Sequence, residues 1–290
     1  MVKSARVLSM ANNKGGVTKT TTTVNVGYGL ARQGKRVLVI DTDAQSNATW
    51  SLTQKVLKGQ KNTIYEAFIH KRPLHELIRP TSDPNLFIVR SSLWMNYAEV
   101  QLFNESMRER RLRNAIKPYL SKFDYILIDT PPNLGVITVN AFMACTDILI
   151  PITLNGFSLL GISIMLNTIR DLKTSAEENE IDAPMPVFGV VVSQARDNND
   201  AAQHMENIRA YFGDLILEPS IPLNVDVERA NNRGSIYEFY PKSSGAVAYT
   251  KLVESILARE KEIEQDRESY LAKTAALLGA IPAEVDEEED

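Results

Sequence analysis

Short apolar runs alternate along this chain with stretches in which apolar and polar positions recur at helical spacing. The apolar run Arg6–Met10 is followed by an amphipathic stretch at residues 20–33, and a second apolar run, Val37–Asp41, comes next. Such alternation is typical of βαβ units, which place their strands in a parallel sheet. Several runs are almost continuously Val, Ile and Leu, as expected when helices cover both faces of the sheet. The pattern therefore predicts an α/β fold with a doubly wound, mostly parallel sheet.

The same pattern places the later elements. Further strands are expected at residues 86–89, 125–129, 147–152, 187–192 and 215–221. Further helices are expected at residues 97–117, 134–144, 157–175, 200–212 and 245–267. No internal repeat and no Pro-, Gly- or Ser-rich linker divides the chain. We therefore predict one domain over residues 1–270, followed by an acidic, disordered tail over residues 271–290.

Composition and charge narrow the class of protein. Apolar residues make up 44% of the 290 positions and charged residues 23%, which is typical of globular chains and excludes disordered, collagen-like and coiled-coil classes. The net charge of −4 comes from the last ten residues, which carry six acids and no Lys or Arg. The rest of the chain is nearly neutral, so any affinity for nucleic acid must come from a local patch.

Cysteine content and hydropathy indicate the cellular compartment of the protein. The single cysteine, Cys145, cannot form a disulfide within the chain or hold an iron–sulfur cluster by itself. The longest apolar runs are much shorter than the ~20 residues that cross a bilayer. The apolar segment near the start is too short for a signal peptide. We expect a cytoplasmic protein.

A stretch between the first strand and the first helix has the composition of a phosphate-binding loop. Its residues are Asn12, Asn13, Lys14, Gly15, Gly16, Val17, Thr18, Lys19, Thr20 and Thr21. Glycines let main-chain N–H groups approach an anion, and the next helix points its positive N-terminus toward the same place. Lys19 would supply charge to the β- and γ-phosphates, and the Thr20 hydroxyl would ligate Mg²⁺. An ordinary Gly-Gly turn with two solvated lysines is the alternative.

Two positions depart from the G-x-x-x-x-G-K-[ST] pattern of such loops. Asn13 and Thr18 stand where that pattern has glycine. A β-branched residue resists a positive φ, so Thr18 must either keep an ordinary φ or carry strain. We expect altered turnover rather than lost nucleotide binding.

Two of the predicted strands end in aspartate. One continues into Asp41-Thr42-Asp43-Ala44-Gln45, and the other into Asp129-Thr130-Pro131-Pro132. Carboxylates at the C-terminal ends of strands can supply the magnesium shell and the oriented water that nucleotide hydrolysis needs. Asp129 follows four apolar residues and is expected beside the phosphate loop, where it would hold a Mg²⁺-bound water. Capping of the following helix is the alternative for Asp41 and Asp43.

Together these segments resemble the deviant phosphate loop, the first switch and the Walker B segment of ParA/MinD-type ATPases. The matching residues are Lys14-Gly15-Gly16-Val17-x-Lys19-Thr20-Thr21 and the two aspartate segments, in the family's order. The resemblance covers roughly residues 3–258 and implies a P-loop NTPase that binds ATP and Mg²⁺. Ala44 stands where the family has proline, which predicts a looser switch.

The resemblance also implies roles for single residues. Lys14 would reach across a dimer to the partner subunit's phosphates, Asp43 would position the attacking water, and Asp41 would support the loop and the waters of the metal. Gln194 and Pro222 are expected at the adenine base, with an ordinary strand exit and a proline turn as the alternative. The predicted catalytic residues are thus Lys14, Lys19 and Asp43, and the predicted metal residues are Thr20, Asp41 and Asp129.

Members of this family that segregate DNA bind it without sequence preference through surface cations, which makes their binding salt-dependent. Asp226 stands where many relatives have a basic residue. The resemblance implies a homodimer with ATP, a ParB-like or cargo-adaptor partner that stimulates hydrolysis, and DNA of the nucleoid. We expect no membrane binding, because MinD-like members end in a basic amphipathic helix and this chain ends in acids. The candidate DNA contacts are Arg196, Arg209, Arg229, Arg233 and Lys242.

The predicted function is a slow, dimerising switch ATPase that segregates or positions plasmid or chromosomal DNA or another large cargo. No helix-turn-helix segment precedes the loop, so binding to a specific operator is not expected. A reductase of the nitrogenase iron-protein kind shares this loop but needs two cluster cysteines per subunit. A metabolic P-loop ligase similar to dethiobiotin synthetase would use ATP to activate a small carboxylate, and it would consume ATP without responding to DNA.

Overall fold

The strands of this protein form one sheet. The computed structural model describes residues 4–154, 159–181, 185–195 and 199–280. Within these ranges the strands are β1 (Arg6–Met10), β2 (Val37–Asp41), β3 (Ile78–Pro80), β4 (Leu86–Val89), β5 (Tyr125–Asp129), β6 (Asp147–Thr153), β7 (Val187–Ala195) and β8 (Ile216–Pro222). Their order is β3-β4-β2-β5-β1-β6-β7-β8, and only the edge strand β3 runs antiparallel to its neighbour. The predicted mostly parallel sheet is confirmed.

Helices cover both faces of the sheet. In the described ranges they are α1 (Lys19–Arg32), α2 (Asn47–Thr53), α3 (Ile64–His70), α4 (Met95–Leu102), α5 (Arg111–Ile116), α6 (Val136–Ala144), α7 (Leu159–Glu178), α8 (Asn199–Phe212), α9 (Val225–Asn231), α10 (Ile236–Phe239), α11 (Ser244–Gln265) and α12 (Arg267–Gly279). Successive strand residues point to opposite faces. In β1, Val7 packs in a cluster with residues of α6 and α7, whereas Leu8 packs in a cluster with residues of α1 and α11. The arrangement is therefore doubly wound.

A glycine brings α1 and α11 together. A Cβ placed on Gly29 would lie 2.6 Å from Val253 Cγ2 and 2.8 Å from the Tyr237 hydroxyl oxygen. No other residue type leaves room for this approach, since even alanine adds a Cβ. Because α1 begins at Lys19, this packing fixes the helix that follows the phosphate loop.

The predicted helix over residues 97–117 is wrong. The chain instead forms α4, then turns through Met107, which has φ +54°, and then forms the short α5. Leu102 and Leu112 are both buried. In one continuous helix these two side chains, ten residues apart, would point in directions about 80° apart. A break in the helix lets both reach the core.

The ordered chain extends past residue 270, so the tail predicted to start at residue 271 is wrong for its first part. α12 buries Tyr270, Leu277 and Leu278, whose spacing places them on one helical stripe. The Tyr270 hydroxyl also donates a hydrogen bond of 2.8 Å to Asp147 at the start of β6. The acidic run that favoured a tail begins at Glu284, beyond the end of this helix.

Some predictions fall outside the described residues. These are the acidic end at residues 281–290, the candidate DNA contact Arg196 and the predicted start of a helix at residue 157. Across the part of the chain that is described, no helix combines the length and the apolar character needed to cross a membrane.

Candidate functional site

The carboxyl ends of three adjacent strands meet at the phosphate loop. β1 leads into the loop, while β2 and β5 end at Asp41 and Asp129. In the sheet register Asp129 lies beside both Asp41 and Met10. The fold thus brings together the three segments that the sequence singled out. Above them opens a cleft of about 420 Å³, lined by Gly15, Gly16, Val17, Thr18, Lys19, Thr20, Thr21, Asp43, Gln45, Asn47, Pro132, Gln194 and Asn231.

The loop presents its main chain to open space. A Cβ on Gly15 or Gly16 would meet no atom within 4 Å, and Gly16 adopts φ +75°, which favours glycine. Asn12 holds the start of the loop. Its side-chain amide donates to the Pro151 carbonyl at 2.8 Å, and its side-chain oxygen accepts from the Lys14 N–H at 3.0 Å. The loop is therefore anchored on one side and accessible to an anion on the other.

Thr18 has a positive φ, which strains the backbone of a β-branched residue. The residue has φ +64° and ψ +17°, in the left-handed region, directly before α1. Its hydroxyl oxygen is buried and makes no hydrogen bond. A residue with a Cβ in this left-handed conformation costs about 1–2 kcal/mol. The loop keeps the backbone shape that a glycine would give, at a cost in stability.

Lys19 directs its ammonium at the loop. Its Nζ donates to the Lys14 carbonyl oxygen at 3.0 Å, and the residue is only 7% exposed. Burial lowers the pKa of Lys19, and the charges of Asp129 and Asp43 oppose that shift. A phosphate in the cleft would add negative charge beside this buried cation. Lys14 itself is exposed on the loop.

Two threonines of α1 hold Asp129. The Thr20 hydroxyl donates to Oδ2 at 2.8 Å, and the Thr23 hydroxyl donates to Oδ1 at 3.0 Å. Burial raises the pKa of Asp129 to about 6, an effect that these hydrogen bonds and Lys19 partly oppose. The Thr20 and Asp129 oxygens fit a magnesium shell, because Mg²⁺ prefers hard oxygen ligands. Thr23 was not predicted from the sequence, although its position three residues after Thr20 puts both on one helix face.

Asp43 and Asp41 differ in their surroundings. Asp43 lines the cleft, and its Oδ1 accepts from the Gln45 N–H at 2.9 Å. Asp41 is fully buried: Oδ2 accepts from the Thr49 N–H and hydroxyl, both at 2.7 Å, and Oδ1 accepts from the Asp43 N–H at 3.1 Å. Burial and the neighbouring Asp129 raise the pKa of Asp41 well above its usual range. Its geometry favours supporting the loop over direct contact with a metal. Thr49 was not found from the sequence, because nothing local marks it as a partner of Asp41.

Gln194 and Pro222 come together beside the loop. They line a small cavity of about 40 Å³ that also involves Thr18 and Thr21. Because Thr18, Thr21 and Gln194 line the large cleft as well, the small cavity adjoins it. β7 runs to Ala195, so Gln194 lies within the end of the strand rather than after it.

Comparison with known sequences identifies the family. The model of the AAA domain family matches residues 5–182. The chromosome partitioning protein ParA of Myxococcus xanthus is 35% identical over 257 residues, which cover 88% of this chain and 89% of that protein. The sporulation initiation inhibitor protein Soj of Bacillus subtilis is 33% identical over 256 residues, covering 87% of this chain and 98% of that protein. The chain belongs to the ParA/MinD-type P-loop ATPases.

Comparison of structures agrees with this assignment. Cobyrinic acid a,c-diamide synthase from Mycobacterium smegmatis, with bound ADP and magnesium, is similar with a TM-score of 0.73 and 27% identity, covering 89% of this chain and 96% of that one. As a member of the ParA/MinD type, this chain is an ATPase whose ligands are ATP and Mg²⁺. Its glycine loop, its buried Lys19 and its Thr20–Asp129 pair fit those ligands.

Proposed function

We propose that this ATPase is a switch that dimerises around two nucleotides and segregates or positions DNA or another large cargo, with a partner protein accelerating hydrolysis. The observation that carries the proposal is the convergence of the phosphate loop, Asp43 and Asp129 at one edge of the sheet, with Lys14 exposed on the same loop. Relatives at 33–35% identity that include a chromosome partitioning protein support the choice of DNA as cargo.

Each residue of the cleft has a role in this proposal. Lys19 and the loop N–H groups hold the phosphates, and Thr20 and Asp129 hold the magnesium shell. When bound together with Mg²⁺, ATP would supply the phosphoanhydride bond that is hydrolysed. One oxygen of Asp43 is fixed by the Gln45 N–H, which orients the carboxylate to accept a hydrogen bond from the attacking water. We assign Gln194 and Pro222 to the adenine base, since their small cavity adjoins the cleft.

The role of Asp43 is tested by Asp43→Ala. Because alanine has no side-chain oxygen to accept a hydrogen bond from the attacking water, we expect ATP binding close to that of the parent protein and hydrolysis reduced by about 100-fold or more. Single-turnover hydrolysis measures the chemical step. Hydrolysis at the parental rate would assign water positioning to another residue.

Lys14 is the residue proposed to cross the dimer. Its main chain is fixed on both sides, by Asn12 at its N–H and by Lys19 at its carbonyl oxygen, so its exposed side chain starts from a defined position. Sedimentation velocity with Mg²⁺ and a non-hydrolysable ATP analogue should show a dimer, which Lys14→Ala abolishes. Lys122→Ala removes another exposed lysine and should leave the dimer intact. A parent protein that stays monomeric with the analogue would contradict the proposal.

DNA binding is proposed to use exposed cations. Arg209 and Arg229 have side chains 61% and 65% exposed, and each lies near one carboxylate of the described residues, Glu218 at 2.9 Å and Asp226 at 3.9 Å. Such surface pairs are worth only about 0–1 kcal/mol, so a DNA phosphate can replace the carboxylate. Affinity for a duplex of arbitrary sequence should fall steeply with salt, and Arg209→Ala with Arg229→Ala should flatten that slope. A slope equal to that of the parent protein would exclude these two contacts.

The structural similarity to a cobyrinic acid a,c-diamide synthase favours a second candidate, a ligase that uses ATP to activate a small carboxylate. The two functions differ in what stimulates ATP consumption. Stimulation by DNA together with a partner protein supports the switch. Stimulation by a small carboxylate metabolite, with no response to DNA, supports the ligase.

A further inference from the structure

A second cleft, of about 490 Å³, lies apart from the nucleotide cleft and shares no lining residue with it. One wall is the C-terminal end of α2 with the residues that follow it, and another is the β3–β4 hairpin. Arg233 and Phe239 close the remaining side. The volume falls within the range of pockets that hold small organic ligands.

The charge of this second cleft is strongly unbalanced. It is lined by four cations, Lys55, Arg79, Arg90 and Arg233, and by one carboxylate, Glu238. That carboxylate already accepts hydrogen bonds from Ser82 at 2.6 Å and from the Ser235 N–H at 3.2 Å. Within the described ranges none of the four cations has a carboxylate at ion-pair distance.

Arg72 and Arg111 are partly buried arginines that have carboxylate partners. Arg72 lies 2.7 Å from both Glu66 and Glu76, and Arg111 lies 2.6 Å from Glu105. Arg79 and Arg90 are also partly buried, but they lack such partners within the described ranges.

Arg79 and Arg90 are held close together without a counter-charge. Arg79 donates to the Glu76 and Ile78 carbonyl oxygens at 2.8 and 2.9 Å and to the Asn62 side chain at 3.1 Å. Arg90 donates to the Asn62 carbonyl at 3.4 Å, while its Nε is buried and makes no hydrogen bond. Burial and the charge of Arg79 lower the pKa of Arg90. An anion bridging the two guanidinium groups would offset the repulsion between their charges.

We propose that this cleft binds a small phosphate-bearing anion, with Arg79 and Arg90 as its principal ligands and Lys55 and Arg233 at the rim. Planar guanidinium groups match phosphate oxygens in bidentate geometry, whereas a concave cleft of this size excludes a duplex from close contact with its floor. Tyr28 and Phe239 give the cleft an aromatic wall that suits an organic phosphate.

The site is connected to the nucleotide cleft through α2. Asn47, at the start of this helix, lines the nucleotide cleft, and Ser51 and Leu52, near its end, line the second one. Trp50 lies between them and donates from Nε1 to the Asn232 carbonyl at 3.2 Å, beside Arg233. We therefore expect its fluorescence to change when an anion binds in the second cleft.

Titration with inorganic pyrophosphate tests the proposal. Lys19→Ala weakens phosphate binding at the competing loop by removing its buried ammonium, and Trp94→Phe leaves Trp50 as the single tryptophan. In this background calorimetry should detect one pyrophosphate per chain, together with a change in Trp50 fluorescence. Adding Arg79→Gln and Arg90→Gln should weaken this binding by about 10-fold or more, because two charge-assisted contacts are lost.

Control variants distinguish the effect of the lost charges from an effect on folding. Lys117→Gln with Lys122→Gln removes two charges at exposed positions elsewhere and should leave pyrophosphate affinity within about 2-fold. Arg79→Lys with Arg90→Lys keeps both charges and should bind more tightly than the glutamine pair. The proposal is overturned if pyrophosphate does not bind the Lys19→Ala protein, or if the glutamine pair leaves its affinity unchanged. It is also overturned if the glutamine pair weakens only the binding of duplex DNA, because the cleft would then be a nucleic-acid contact.

Discussion

Thr18 offers a direct test of how the phosphate loop stores strain. Its left-handed φ of +64° costs about 1–2 kcal/mol for a residue with a Cβ, and its buried, unpaired hydroxyl adds about 1–3 kcal/mol. Thr18→Gly removes both costs but raises the backbone entropy of the unfolded chain, which takes back about 0.5–1 kcal/mol. We expect a net stabilisation of about 1–4.5 kcal/mol in the nucleotide-free protein.

Urea unfolding followed by circular dichroism measures this change. In thermal unfolding, at about 2 °C per kcal/mol for a chain of this size, the melting temperature should rise by about 2–9 °C. Thr18→Ala is the matched control: it removes the hydroxyl and keeps a Cβ at positive φ, so its stability should lie between those of the parent and the glycine variant. A glycine variant less stable than the parent would refute the reasoning.

Three further predictions concern the core and its titratable groups. Gly29→Ala should destabilise the protein by about 1–3 kcal/mol in urea unfolding, because its Cβ would lie 2.6 Å from Val253, whereas Gly59→Ala, whose Cβ meets nothing within 4 Å, should change little. Asp129 has a folded pKa of about 6 against an ordinary 3.8, so the folded state binds the extra proton. The free energy of unfolding should therefore fall as pH rises from about 4 to about 6, and Asp129→Asn should reduce that slope. Burial raises the pKa of the Cys145 thiol, so iodoacetamide should label it only after unfolding, and labelling of the native protein at pH 7.5 would contradict its burial.

The central strands and the acidic ends of β2 and β5 could be predicted because their signals are local. β1, β2, β4 and β5 have the bounds that the apolar pattern predicts, and parallel pairing then places Asp41 and Asp129 at one edge. The phosphate loop could also be predicted, because its glycines and lysines lie close together in the sequence.

The rest depends on contacts that no local pattern in the sequence specifies. Thr49 and Asp41 are eight residues apart, and only the folded switch shows that they bond. Arg79 and Arg90 lie on separate segments, and no spacing in the sequence reveals that they share a cleft. The break before α5 lets Leu112 reach the core. The spacing of apolar residues in the sequence does not show where the core lies, so it does not predict this break.

The most direct test of the central claim is calorimetric titration of the protein with ATP and Mg²⁺, using the parent, Lys19→Ala and the exposed-lysine control Lys122→Ala. The account predicts one ATP per chain for the parent and the control. It predicts binding weakened by about 10- to 100-fold for Lys19→Ala, because the buried ammonium at the loop is lost. An absence of heat with the parent, or equal affinity in the parent and Lys19→Ala, would contradict it.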